Sequence, residues 1–158
     1  LWTEHPLPAS TAAVGILVAQ GFWLLDFGVQ LTGRRLTGMT AYMFDQQRSR
    51  FLRGLSLFHG WLPVLLVVLV MRLGYDARAL PLWIAIATVL LLVSYRWLPP
   101  PPPRGDGRPV NINYVHGLSE QAAQTWMPPR LWLALTILGF PLLLYWPAHL
   151  LLQWMTGA

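Results

Sequence analysis

The sequence contains no cysteine and no lysine. Without cysteine there are no disulfides, no iron–sulfur clusters and no thiolate zinc sites. Charge of either sign is scarce: 11 arginines and 6 acidic residues make up 11% of the 158 residues, against about 25% in soluble domains. So few charges do not cover the surface of a water-soluble globule of this length. Apolar residues are abundant instead, at 55% with a mean hydropathy of +0.47, and that excludes intrinsic disorder. The length is that of one domain. The composition therefore predicts a single integral membrane domain over 1–158. The chain opens on Leu1 rather than methionine, which leaves room for an upstream signal or helix.

The net charge of +5 would suggest nucleic acid in a soluble protein. Here no arginine cluster is interleaved with aromatics on a polar face, so no nucleic-acid partner is expected. A membrane-crossing helix needs about 20 mostly apolar residues. Uncharged runs place four such helices at about 9–32, 51–73, 79–98 and 131–154, an all-α, polytopic fold. Orientation follows from arginine. Arg34, Arg35, Arg48, Arg50 and Arg53 flank or occupy loop 33–50, and Arg96, Arg104, Arg108 and Arg130 flank or occupy loop 99–130, nine in all. The opposite side has only Arg72 and Arg78. The positive-inside rule then puts both long loops in the cytoplasm and both termini outside, in a bacterial inner membrane. Trp2, Trp83, Trp146 and Trp154 fall near the expected outer interface, and Trp97, Trp126 and Trp132 near the inner one, as an aromatic belt requires. Trp23 and Trp61 fall inside spans.

The connections carry their own signals. Gly74 to Arg78 reads as a tight outer hairpin in which Asp76 caps the next helix and Pro81 sits in its first turn. Pro99 to Pro103 reads as an extended polyproline spacer. Beyond it, Ser119 is a candidate N-cap for a short interfacial helix ended by Pro128-Pro129. Met39, Tyr42, Met43 and Phe44 give loop 33–50 the same interfacial character. Val110, Ile112, Tyr114, Val115, Leu118, Trp126 and Met127 are too apolar to leave in water. The segment from Asn111 to Met127 is therefore expected to be an ordered partner-docking surface. In it Asn111 and Asn113 satisfy backbone groups and Tyr114 and Trp126 act as anchors.

Within the spans, small and polar residues recur at helical spacing and mark packing faces. Ala12, Gly15, Ala19, Asp26, Gln30 and Gly33 share one on the first helix. Arg53, Ser56, His59, Gly60 and Pro63 share one on the second, and Pro141, Tyr145, His149 and Gln153 one on the fourth. Asp26 lies roughly 9 Å, and His59 roughly 12 Å, from the inner ends of their helices. A buried carboxylate at such depth needs a partner, so Asp26, Arg53 and His59 are expected to form a polar clasp between the first two helices. That clasp reads either as structural or as a proton relay or ligand site.

Catalytic patterns are sparse. There is no G-x-S-x-G, and Ser56 with His59 at i, i+3 lacks a placed oxyanion hole. The four histidines (His5, His59, His116, His149) show no metal-ligand spacing. No catalytic residue and no metal site are expected. A haem or chlorin needs only one axial histidine, and His59, between Phe58 and Gly60, is the candidate cofactor ligand. Arg34, Arg35, Arg48 and Arg50 suit anionic lipids at the inner surface. The sequence thus points to a non-catalytic small accessory subunit of a respiratory or photosynthetic membrane complex, whose partners are the bilayer and other membrane subunits. The rival expectation is a membrane-embedded enzyme, or a haem-, pigment- or quinone-binding protein, with its site near Asp26, Arg53 and His59.

Overall fold

The computed structural model describes residues 5–102, 110–119 and 121–158. Trp2, Pro103, Arg104 and Arg108, all singled out above, lie outside them. Every regular element among the described residues is helical: α1 (Pro6–Leu31), a 3₁₀ turn (Ala41–Met43), α2 (Arg50–Leu55), α3 (Phe58–Leu73), α4 (Ala79–Trp97), a second 3₁₀ turn (Ile112–Tyr114), α5 (Pro129–Phe140), a π-helical turn (Pro141–Tyr145) and α6 (Trp146–Thr156). Four stretches are long and apolar enough to cross a membrane: Pro6–Leu31, Arg50–Leu73, Ala79–Trp97 and Pro129–Thr156. They match the four runs expected from sequence.

Two of the four are not continuous α-helices, and proline is the cause. Pro63 lies inside α3 and has no N–H for the His59 carbonyl. Just upstream, Ser56, Leu57, His59 and Gly60 each donate to a carbonyl three residues back, a 3₁₀-type tightening that separates α2 from α3. In the last stretch Pro141 and Pro147 remove two further donors, and the chain widens into the π-helical turn between α5 and α6. The expected interfacial helix at 118–127 is also absent among the described residues. Ser119 Oγ accepts from Gln121 and Ala122 N–H, as an N-cap would. The Gln124 N–H instead turns back to the His116 carbonyl at 2.7 Å. The Gln124 side chain then holds the backbone of Trp126 and Met127, so the segment closes on itself before Pro128.

The chain divides into two compact units, Leu1–Leu80 with Leu144–Ala158, and Pro81–Leu143. In the first, α1 packs on α3 and α6, and α3 on α6. The buried stripe of α1 is Ser10, Thr11, Ala13, Val14, Trp23 and Asp26, rotated from the small-residue face expected, with Ala19 exposed. Val14 and Trp23 remove more apolar area than alanine and glycine do, and so set the rotation. Opposite them lie Pro63, Leu66 and Val70 of α3 and Ala148 and Leu152 of α6. The expected stripe on the second span, Arg53 to Pro63, is half-buried or buried throughout.

The second unit is built on Leu91, Val115 and Leu133, with Tyr95, Ile137 and Phe140 packed around them. Its loop is held from within by Asn111. The Asn111 amide donates to the carbonyls of Gly117 (2.8 Å) and Ser119 (2.9 Å) and accepts from the His116 N–H (3.0 Å). Asn113 and Tyr114 adopt positive φ, and Asn113 donates to Ser94 Oγ at 2.8 Å. Gly117 has φ +141, and a Cβ there would lie 2.8 Å from the Gln124 nitrogen, so only glycine fits. His116 stacks on Tyr95 at 5.4 Å.

Burial holds the His116 imidazole below its ordinary pKa. The unfolded chain gains a proton near pH 6.5, whereas the folded chain does so only at lower pH. Loop stability is therefore full above that value and falls as pH drops through it. One proton sets a ceiling of about 1.4 kcal/mol per pH unit, and partial exposure keeps the effect below it. Hydrogen exchange at 110–119, corrected for intrinsic rates, should be faster at pH 5 than at pH 7.5, and His116→Gln should abolish the difference. Equal pH dependence in the variant would assign the effect to another group.

Candidate functional site

The residues expected to form one clasp take three separate sets of partners in the first unit. Asp26, on the buried face of α1, is fully buried at 0% exposure. After α1 the chain turns back through Gly33 and Gly38, both at positive φ, and delivers Thr37 to Thr40 onto the carboxylate. Oδ1 accepts from Thr37 N–H and Thr37 Oγ1, both at 2.7 Å, and from Gly38 N–H at 3.1 Å. Oδ2 accepts from Thr40 N–H at 2.9 Å and Thr40 Oγ1 at 2.6 Å. Five donors saturate the acceptor sites of a carboxylate, which number about four. Charge-assisted bonds of this kind are the stronger class, about 1.5–3 kcal/mol each. Neither His59 nor Arg53 is among the donors. The saturated geometry favours a structural role for Asp26 over a relay, because taking up a proton would break the cage.

Arg53 instead donates from Nη1 to the Met43 carbonyl at 3.1 Å. Its Nε is buried without a hydrogen-bond partner among the described residues. The link ties α2 to the 3₁₀ turn that the Asp26 cage begins, where Phe44 stacks on Phe27 of α1 at 5.6 Å.

His59 meets α1 one level away from the cage. Its Nδ1 pairs with Gln20 Oε1 in a short hydrogen bond. The imidazole stacks on Trp23 at 4.7 Å and 22° and lies against Phe58 at 4.0 Å. With the amide oxygen as the acceptor, Nδ1 carries the proton and Nε2 a lone pair. Gln20 escaped the sequence reading, although it is the polar residue nearest mid-length on α1. Thr37, Gly38 and Thr40 escaped it too. Their signal is a Thr-Gly-x-Thr turn shortly after a helix that carries an unpaired acid.

A third polar contact links the hairpin after α3 to α6. Tyr75 Oη lies 2.5 Å from His149 Nδ1, and burial, with Asp76 alongside, pushes the phenol up to about 12. Asp76 accepts from the Arg78 backbone and guanidinium and donates its own N–H to Ser10 Oγ at 3.1 Å. The Arg78 hydrogen bond holds its carboxyl below the usual range.

The expected docking residues belong to the second unit. Asn111 is buried and satisfies backbone groups, as its role required, whereas Asn113 bonds a side chain. Tyr114 presents its carbonyl to Trp132 Nε1 at 2.8 Å. Trp126 is 68% exposed and meets Trp132 edge-on at 5.8 Å. No group of three or more His, Asp or Glu side chains able to hold a metal ion occurs among the described residues.

The cage reverses the usual expectation for a conservative change. In Asp26→Asn the amide NH₂ must face the Thr40 donors, leaving a buried N–H unpaired. The cost should be about 2–3 kcal/mol, with Thr40→Ser close to neutral. Loop 33–50 should then open more often, and trypsin should cut after Arg34, Arg35 or Arg48 at least tenfold faster in Asp26→Asn. Cleavage within twofold of the parent rate would show that the cage does not hold the loop.

No protein-family model matches the chain, and no curated protein or solved structure matches it either.

Proposed function

We propose that this chain is a multi-pass protein of a bacterial inner membrane, with its termini outside, and that it serves as a small non-catalytic subunit of a membrane complex, respiratory or photosynthetic. The observation that carries this reading is the apolar exposure of the loop after α4. Asn111 and Val115 are buried in it, while Leu118 at 79% exposure, Trp126, Val110 and Ile112 face outward. A loop this tightly hydrogen-bonded does not expose apolar residues for want of order. Such residues are stable there when another surface covers them. Partner subunits cover this surface, with Trp126 and Tyr114 as anchors. Aromatic side chains of this kind dominate interface energetics.

The four apolar stretches supply the spans, and the nine-to-two arginine split supports the orientation. Lipid is the second partner. An open groove of about 450 Å³ runs along α1 past Leu24, Leu25, Gly28, Val29 and Thr32 to Arg34. This suits an acyl chain with its anionic headgroup at the guanidinium. The rival site around Asp26, Arg53 and His59 is disfavoured as one centre, because the three side chains answer to different partners.

Two experiments check the reading. Single cysteines at Ala77 and Gln47, labelled in intact cells with an impermeant thiol reagent, should react at 77 only. Reaction at 47 alone would reverse the orientation. Replacing residues 110–127 with a Gly/Ser linker should leave the spans inserted but strip the protein of its co-purifying subunits. Retention of every partner at native stoichiometry would move the docking role to the helix surfaces.

A further inference from the structure

The histidine beside Gln20 has a chemistry that the subunit reading does not use. His59 is half-buried, and its ring is fixed in three ways. Gln20 Oε1 holds Nδ1, Trp23 stacks on it at 4.7 Å, and Phe58 lies against it at 4.0 Å. Nε2 makes no hydrogen bond among the described residues and is open to the surroundings of the chain rather than enclosed by it. With the proton on Nδ1, Nε2 is a neutral base whose lone pair has no donor. In an apolar layer such an atom is costly to leave unsatisfied. A hydrogen bond from a histidine's second nitrogen to a fixed oxygen is the outer-shell arrangement that orients metal-binding imidazoles and raises their basicity.

We propose that His59 Nε2 is the axial ligand of a metallated tetrapyrrole, with Gln20 as the positioning residue that sets its tautomer. A bare metal ion would need three or more protein ligands, and no such group exists among the described residues. A macrocycle brings four nitrogens of its own and asks the protein for one. The neighbours suit a flat apolar ligand. Gly60 and Ser56, beside His59 and one turn before it, are small, while Leu55, one turn before it, is 54% exposed and offers apolar surface to a ring. Haem and chlorin share this coordination chemistry, in which a single histidine would be the one protein ligand. The proposal stands independently of the docking role of 110–127.

The test uses the full-length protein in nanodiscs, titrated separately with haem b and with a zinc chlorin. One of the two should bind at one per chain with a shifted Soret or red band, and the probe that saturates identifies the class. His59→Ala should weaken that binding at least tenfold, and millimolar imidazole should restore the band in His59→Gly, which a merely structural histidine would not allow. Gln20→Leu leaves the ligand in place but frees its tautomer, and should weaken binding about tenfold with a displaced band. Three results would overturn the proposal. The first is an absence of saturable binding of both probes to the parent protein. The second is unchanged affinity and spectrum in a folded His59→Ala. The third, which decides the matter if His59→Ala does not fold, is unchanged affinity and spectrum in Gln20→Leu. Loss of partners from the 110–127 linker variant with the spectrum intact would separate this site from the docking surface.

Discussion

The carboxylate of Asp26 is the fixed point from which one end of the first unit is built. It lies on the buried face of α1, and among the described residues its charge is met by two threonine hydroxyls and three backbone N–H groups. Those backbone groups belong to a turn that has no regular secondary structure to satisfy them. The acid and the turn are thus complementary defects, each costly alone and stable together. Gly38 at positive φ lets its N–H point into the cage. The following 3₁₀ turn then offers the Met43 carbonyl to Arg53, and Phe44 to Phe27. A chain of local contacts running from one buried charge therefore sets where α2 starts and how the Arg53–Pro63 stripe meets α1.

Proline shapes the molecule in a complementary way. Pro63, Pro141 and Pro147 each remove a backbone donor inside an apolar stretch, and the chain answers with a tightened turn in one place and a widened one in the other. Such irregularities cluster where side chains are displayed rather than simply packed. His59 sits at the first, four residues before Pro63. Tyr145 is buried at the end of the second, and His149, one turn on, meets Tyr75. Both histidines are held through Nδ1, but the partners differ in character. His59 meets an amide oxygen, which can only accept, whereas His149 meets a phenol hydroxyl, which can donate or accept.

The loop of the second unit follows a different principle. Its hydrogen bonds converge on Asn111 and Gln124, two amides that each serve backbone donors and acceptors at once. That lets a segment without α-helix hold a single shape, with Gly117 turning where a side chain would collide. Val115 packs into the core of the unit while Val110, Ile112, Leu118 and Trp126 face outward. Rigid presentation of Leu118 and Trp126 would lower the conformational cost of the proposed docking, the advantage of any pre-ordered interface.

Composition and periodicity were enough to determine the four long apolar helices and the half-buried stripe from Arg53 to Pro63. Those properties depend on which residues are near one another along the chain. Even the role of Asn111 was legible, because an amide in an apolar loop needs backbone to bond. Spacing could say that Asp26 required a partner and that His59 and Arg53 lay at a similar depth. It could not say which donors would reach the acid first. Thr37, Gly38 and Thr40 are only 11 to 14 residues away along the chain and cost little entropy to bring back, so they pre-empt the more distant cations. Only the folded chain decides such a competition, because hydrogen bonds are won by distance and angle in three dimensions. The rotation of α1 and the pairing of Gln20 with His59, 39 residues apart, were settled for the same reason.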